Sequence, residues 1–155
     1  INVYNTTDNS ERLRIVHDTC NARRMDKLRR LAKEPLSLKY LRVCWERVDG
    51  MYNCCQCEKC LRTMTSLELL GALENSDAFA LPLVADRVAA VCLPRPGLRI
   101  FPRENLQLLY DSGYDGPELE KALRIQLNRP IWLARMRLKW RKRIARWKKR
   151  LRLTC

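Results

Sequence analysis

Four cysteines within seven consecutive positions constrain this 155-residue chain more than any other feature; they are Cys54, Cys55, Cys57 and Cys60. Disulfide-bonded cysteines seldom crowd so closely, and no basic start followed by an apolar segment marks the chain for secretion. Clustered cysteines in a protein that stays in the reducing cytoplasm are typical of a metal site. We therefore expect a cytoplasmic protein that binds a metal ion.

Together with Cys44, the cluster has the spacing C-x9-C-x2-C-x2-C. Zinc binds four thiolates in a tetrahedron at about 2.3 Å, and a C-x2-C step lets one tight turn bring two sulfurs to the same ion. Four thiolates leave no open position, so the predicted Zn²⁺ is structural. Its predicted ligands are Cys44, Cys54, Cys57 and Cys60, and the nearby cations Arg47, Lys59 and Arg62 are expected to offset their negative charge.

Three alternatives to this ligand set stay open at the level of sequence. Cys55 could replace Cys54 as a ligand. The thiols could be unliganded or form a disulfide, or they could hold an iron–sulfur cluster, which four thiolates also suit. The isolated Cys20, Cys92 and Cys155 are interpreted as small core residues or exposed thiols.

Apolar spacing predicts a mostly α-helical chain, and 46% hydrophobic residues are enough for a core. The predicted domains are a loop or the end of a truncated α/β part over 1–18, a zinc-knuckle helical domain over 19–130 and a basic helical arm over 131–155. Residues 1–14 read as loop, 14–17 as the end of a strand, and 38–45 as strand or helical turn. Predicted helices begin at Thr19 or Asn21 and end at 34, and then cover 58–74, 83–92, 102–111, 117–128 and 130–151.

The positive charge of the chain is concentrated in its last residues. Of 31 Lys and Arg residues, 11 lie between Leu133 and Cys155, where there is no acid, so the rest of the chain holds 20 bases against 17 acids. This arm has an apolar stripe at helical spacing: Leu133, Met136, Trp140, Ile144, Trp147 and Leu151. Such a helix could dock on an anionic membrane surface, bind nucleic acid, or pack its stripe on the body. The tryptophans favour the membrane over DNA.

The cysteine motif resembles a known zinc motif. The sequence from Asn53 to Met64, NCCQCEKCLRTM, with Cys44 before it, resembles the C-terminal zinc knuckle of ATP-pyrophosphatase-fold enzymes of the 7-cyano-7-deazaguanine synthase type. The resemblance covers about 14–71 and continues more weakly to 128. It implies that the chain is the C-terminal part of an α/β enzyme that activates a carboxylate or similar group with ATP.

Two departures from that family bear on function. The family usually has Gly where this chain has Cys55, so the turn must accept a side chain there. The family's Ser-Gly-Gly-x-Asp-Ser loop, which wraps pyrophosphate, has no counterpart here, and none of the five glycines are adjacent. The resemblance therefore implies that the ATP site belongs to a missing or lost N-terminal half, and we predict no catalytic residue in this chain.

Two further groups could carry chemistry, although each has a simpler interpretation. Cys20 and His17 could form a nucleophile and base, but we interpret His17-Asp18 as a polar pair at a strand end. Arg23, Arg24 and Lys27 could face a phosphate at a helix start, or form a solvated helix face. The predicted function is thus a structural zinc-binding region, not catalytically complete alone, of an ATP-dependent enzyme. The alternative is a non-enzymatic zinc module that docks on membrane or nucleic acid through its basic helix.

Overall fold

The computed structural model describes residues 9–10, 13–14, 22–46, 48 and 50–152, and in these residues the chain is mostly helical, as predicted. A short antiparallel pair precedes the helices and brings Asn9 opposite Arg14. The elements are β1 (Asn9–Ser10), β2 (Leu13–Arg14), α1 (Arg24–Leu31), α2 (Pro35–Tyr40), α3 (Glu58–Leu69), α4 (Ala85–Ala90), a 3₁₀ turn (Pro96–Arg99), α5 (Ile100–Ser112), α6 (Pro117–Asn128) and α7 (Ile131–Arg152). Asn9, Ser10 and Leu13 are extended within the segment predicted as loop, and Arg14, predicted at the end of a strand, lies in β2.

Helix α3 is the central element, because it is buried on most of its surface. Leu61 and Leu69 join a core with α1, α4, α5 and α6. Met64 packs on the cysteines, and Leu67 packs on buried leucines of α1 and α2. The apolar stripe that predicted this helix is therefore real, but the helix contributes to three clusters rather than to one. The element that carries Cys60 is fixed from several sides.

The second layer consists of α4, α5 and α6, with α6 in contact with both of the others. The side chain of Arg129, just after α6, donates to the carbonyls of Ala89 and Val91 at 2.7 Å each. Gln126 donates to the carbonyl of Val88. The last carbonyls of a helix have no partner within it, so these contacts satisfy the end of α4 and tie it to α6.

Several helix boundaries differ from the predicted ones for local reasons. Helix α3 ends at Leu69 and not at 74, because Gly71 adopts a left-handed conformation with φ +64° that stops the helix. Helix α1 ends at Leu31, before the predicted end at 34, and Pro35 instead begins α2 at a position where its missing N–H costs no bond. Helix α5 begins at Ile100, so Pro102 lies in its first turn. Helix α4 is shorter than predicted and covers Ala85–Ala90.

The start of α1 also differs from prediction. Its N-cap is Arg23, whose backbone N–H donates to the Asp26 carboxylate at 3.1 Å. The two caps suggested by the sequence, Thr19 and Asn21, lie outside the described residues. An acidic side chain in the first turn satisfies a free N–H and also interacts favourably with the helix dipole.

Helix α7 is attached to the body by its first turns. Ala134 is buried, Leu138 is half-buried, and Arg135 donates to the carbonyl of Pro94 at 3.0 Å. Among the described helices, none combines the length and the apolar content that crossing a bilayer requires.

Candidate metal centre

The structure brings the sulfur atoms of four cysteines together, and we call these residues the cysteine quartet: Cys44, Cys54, Cys57 and Cys60. All four Sγ atoms lie within 4.8 Å of one another. The Cys44 and Cys57 sulfurs are 3.8 Å apart, and those of Cys54 and Cys60 are 3.9 Å apart. A tetrahedron with metal–sulfur bonds of about 2.3 Å has edges of about 3.8 Å. The quartet is thus positioned to bind a single metal ion.

Two tight turns of the knuckle, residues 54–60, bring three of these sulfurs together. The N–H of Cys57 donates to the Cys54 sulfur at 3.3 Å, and the N–H of Cys60 donates to the Cys57 sulfur at 3.5 Å. In each C-x2-C step, the backbone N–H of the second cysteine therefore binds the sulfur of the first cysteine. Cys57 is also the N-cap of α3, at the positive end of the helix dipole. Both effects favour the thiolate form that a metal requires.

The fourth sulfur arrives on a segment that Asn53 holds in place. The Asn53 side-chain oxygen accepts from the N–H groups of Val43 and Cys44 at 3.0 and 3.1 Å. Its amide nitrogen donates to the carbonyls of Leu41 and Ala78 at 2.8 and 2.9 Å. Asn53 is only 1% exposed, so these four bonds satisfy a side chain that water does not reach. Asn53 therefore positions Cys44 against the knuckle.

Asn53 is part of the motif, but the metal-ligand spacing predicts no role for it. A signal was available, since an asparagine directly before a buried knuckle has many donors and acceptors to satisfy. The sequence does not show which groups these are, because the tertiary fold brings Leu41 and Ala78 to Asn53.

Cys55, the spare cysteine of the knuckle, does not belong to the quartet. It is completely buried, and its sulfur donates to the carbonyl of Asn53 at 3.3 Å. Its backbone has φ +54°, in the left-handed region that glycine adopts freely and other residues adopt at a cost. This conformation explains why a glycine would fit here, and it shows that the turn accepts a side chain. The structure places Cys54, not Cys55, with the other three sulfurs.

Proton binding within the quartet is uneven. Burial acts to raise the pKa of the Cys44 thiol, but hydrogen bonds involving Cys54, Glu46 and Cys60 outweigh it and lower that pKa to about 7. Burial raises the pKa of Cys57 and of Cys60, and for Cys60 the neighbouring Cys57 adds to the effect. A divalent cation bound by all four sulfurs would therefore displace protons, as expected for a thiolate site.

Two of the three cations that the sequence suggested as charge compensation, Lys59 and Arg62, contact other side chains. The Lys59 ammonium lies 3.7 Å from the centre of the Trp45 ring. Arg62 pairs with Glu58 at 3.3 Å and stacks on the Phe101 ring at 3.7 Å. Arg47 lies outside the described residues. Backbone N–H groups of the knuckle and of α3 donate directly to the sulfurs.

The structure does not form the anion site suggested at the start of α1. Arg23 and Lys27 are exposed, whereas Arg24 turns inward, where it pairs with Glu104 at 3.5 Å and donates to the Ser66 hydroxyl at 3.3 Å. The three side chains therefore do not converge on one point.

Of the remaining candidates, the structure describes Cys92 alone. Cys92 is half-buried and lies outside the quartet. The proposed pair of His17 and Cys20, and Cys155, lie outside the described residues.

The donor set of the quartet fits zinc in number, chemistry and spacing. Comparisons of the chain with protein-family models, with curated proteins and with solved structures find no match.

Proposed function

We propose that the cysteine quartet holds one structural Zn²⁺. The observation that carries the proposal is the agreement of two sulfur–sulfur distances, 3.8 and 3.9 Å, with the edge of a zinc–tetrathiolate tetrahedron. In an iron–sulfur cluster the four cysteines are divided between at least two irons. Sulfurs bound to different irons lie further apart than the 4.8 Å within which all four Sγ atoms of the quartet fall. A disulfide would need two sulfurs at about 2.05 Å.

The ion would join two parts of the chain that the hydrogen bonds of Asn53 also connect. Cys44 lies in the segment that follows α2. Cys54, Cys57 and Cys60 belong to the knuckle, which runs into the first turn of α3. Four thiolates complete the coordination of zinc and leave no position for a substrate. The role of the metal is therefore to hold shape, with an apparent contribution to folding of about 10 kcal/mol.

Within a larger framework, we propose that the chain is the zinc-bearing C-terminal region of an ATP-pyrophosphatase-fold enzyme of the 7-cyano-7-deazaguanine synthase type. Such an enzyme activates a carboxylate or similar group with ATP. The support is the motif from Asn53 to Met64, together with the left-handed backbone at Cys55, the position at which the family usually has glycine. The zinc-bearing region would form a wall beside the substrate and supply no catalytic residue.

Metal analysis of the purified chain tests the zinc site. We expect one zinc per chain in the natural protein and in Cys92→Ser, which removes a thiol outside the quartet. Cys57→Ser should lose the metal. Iron in place of zinc, or full retention of zinc by Cys57→Ser, would contradict the proposal.

The proposed enzyme is tested separately by the coding sequence upstream of Ile1. We expect it to encode a strand followed by a Ser-Gly-Gly-x-Asp-Ser loop, and we expect the longer chain to release pyrophosphate from ATP. A longer chain that lacks the loop and does not hydrolyse ATP would leave a non-enzymatic zinc module, which is the alternative function.

A further inference from the structure

Helix α7 exposes a continuous row of large apolar side chains, which we call the tryptophan stripe: Trp132, Met136, Trp140, Ile144 and Trp147. Each of these residues is between 48% and 64% exposed. They recur every three or four positions, so they share one side of the helix, and they extend over about 22 Å. Met136, Trp140 and Ile144 border an open groove of about 1300 Å³ that Glu46, Gln56 and Cys57 also line, and these three side chains of α7 remain exposed beside it.

Exposed bases accompany the stripe along the same helix: Arg135, Arg137, Lys139, Arg143 and Arg146. None of these five forms an ion pair with another described residue. The last acidic residue of the sequence is Glu120, before α7 begins. Helix α7 therefore offers uncompensated positive charge together with uncovered apolar surface.

The attachment of α7 leaves this surface available. Ala134 is buried, Leu138 is half-buried, and Arg135 binds the carbonyl of Pro94. These contacts use other positions of the first turns and hold the helix on the body without covering the stripe. Of the apolar stripe that the sequence predicted, Leu133 is half-buried, whereas Met136, Trp140, Ile144 and Trp147 are exposed.

The combination of charge and apolar surface selects the partner. A bilayer-spanning role does not fit, since no described helix is apolar enough. Nucleic-acid phosphates would attract the bases but would leave three tryptophans uncovered. An anionic bilayer surface can bind both the bases and the tryptophans. Its headgroups bind Lys and Arg, while Trp and aliphatic side chains enter the boundary between the headgroups and the acyl chains. We propose that α7 docks in the plane of an anionic lipid surface through the tryptophan stripe.

Vesicle binding by the full chain tests this docking surface. Phosphatidylcholine vesicles with and without phosphatidylserine are sedimented with the protein, and tryptophan emission is recorded. We expect strong binding and a blue shift with anionic vesicles, weakening as salt is raised. Equal binding to both vesicle types, or binding to neither, overturns the proposal.

A matched pair of charge variants separates local contact from net charge. One variant carries Arg137→Gln, Lys139→Gln and Arg143→Gln in α7. Its control removes three exposed bases of the body through Lys33→Gln, Arg103→Gln and Lys121→Gln. Each base near an anionic surface contributes about fivefold in binding, so the α7 variant should lose on the order of 100-fold. Equal losses in the two variants would contradict docking through α7.

A second matched pair tests the apolar contact and the nucleic-acid alternative. Trp140→Ala with Trp147→Ala should lower vesicle binding at least tenfold, on the order expected for removing buried aromatic surface. The control Trp45→Ala removes a tryptophan outside α7 that is even more exposed, at 82%, and should leave binding nearly unchanged. If the chain instead binds duplex DNA or RNA more tightly than anionic vesicles, and the α7 tryptophan variants do not alter either interaction, the proposal is wrong.

Discussion

The knuckle and α7 are opposites in how they use structure. The knuckle, at residues 54–60, has little regular secondary structure until α3 begins, yet its sulfurs and the adjacent Asn53 are held by contacts inside the body. Helix α7 is 22 residues of regular helix, yet its tryptophan stripe has no cover. Regularity of the backbone therefore says little about where a segment finds its partners. The chemistry of the side chains is more informative. Clustered thiolates indicate a bound cation, and bases beside tryptophans indicate an anionic, partly apolar surface.

The largest expected effect comes from a neighbouring pair within the knuckle. Cys54→Ser removes a predicted ligand, and the loss of about 10 kcal/mol of metal binding is comparable to the whole stability of a domain. We expect this variant to lose the cooperative unfolding transition in urea, followed by circular dichroism.

Cys55→Ser is the matched control for that experiment. Its hydroxyl can still donate to the Asn53 carbonyl, so we expect retained zinc and a destabilisation of about 1 kcal/mol. If Cys55→Ser loses the metal and Cys54→Ser keeps it, the ligand assignment is reversed.

A smaller loss is expected when Asn53 is removed. Asn53→Ala leaves two N–H groups and two carbonyls without their partner in a buried place, which should lower the free energy of unfolding by about 3–5 kcal/mol. The control Asn128→Ala changes an exposed asparagine and should stay within about 0.5 kcal/mol of the natural protein. Similar small effects in both variants, measured by urea unfolding, would mean that Asn53 does not hold the Cys44 segment.

The smallest effect on stability is expected in α7. Trp140→Ala with Trp147→Ala should change the free energy of unfolding by less than about 0.5 kcal/mol in the absence of lipid, because both residues are exposed. Leu67→Ala, in the fully buried part of α3, should cost about 2–5 kcal/mol by thermal or urea unfolding. A large loss in the tryptophan variant would show that the stripe is covered by the protein itself.

The sequence predicted the helices well where apolar residues recur regularly. Leu61, Met64 and Leu67 are buried on α3 as their spacing indicated, and α6 has the predicted bounds of 117–128. It predicted the quartet because metal-ligand spacing is a local property. The helix ends were less predictable, since they depend on single backbone conformations such as that of Gly71.

What could not be predicted depends on residues far apart in the sequence. Asn53 donates to the carbonyl of Ala78, and the Lys59 ammonium lies over the Trp45 ring. Arg24 also has a distant partner. The packing of α1 on α5 brings Glu104, 80 positions further along the chain, beside it. No local pattern carries that information.

X-ray absorption at the zinc edge, on the purified full chain, tests the central claim most directly. A metal held by the cysteine quartet should show four sulfur neighbours at about 2.3 Å and no nitrogen or oxygen neighbour. A spectrum with two or fewer sulfur neighbours, or with light atoms in the first shell, would contradict a single ion bound by Cys44, Cys54, Cys57 and Cys60.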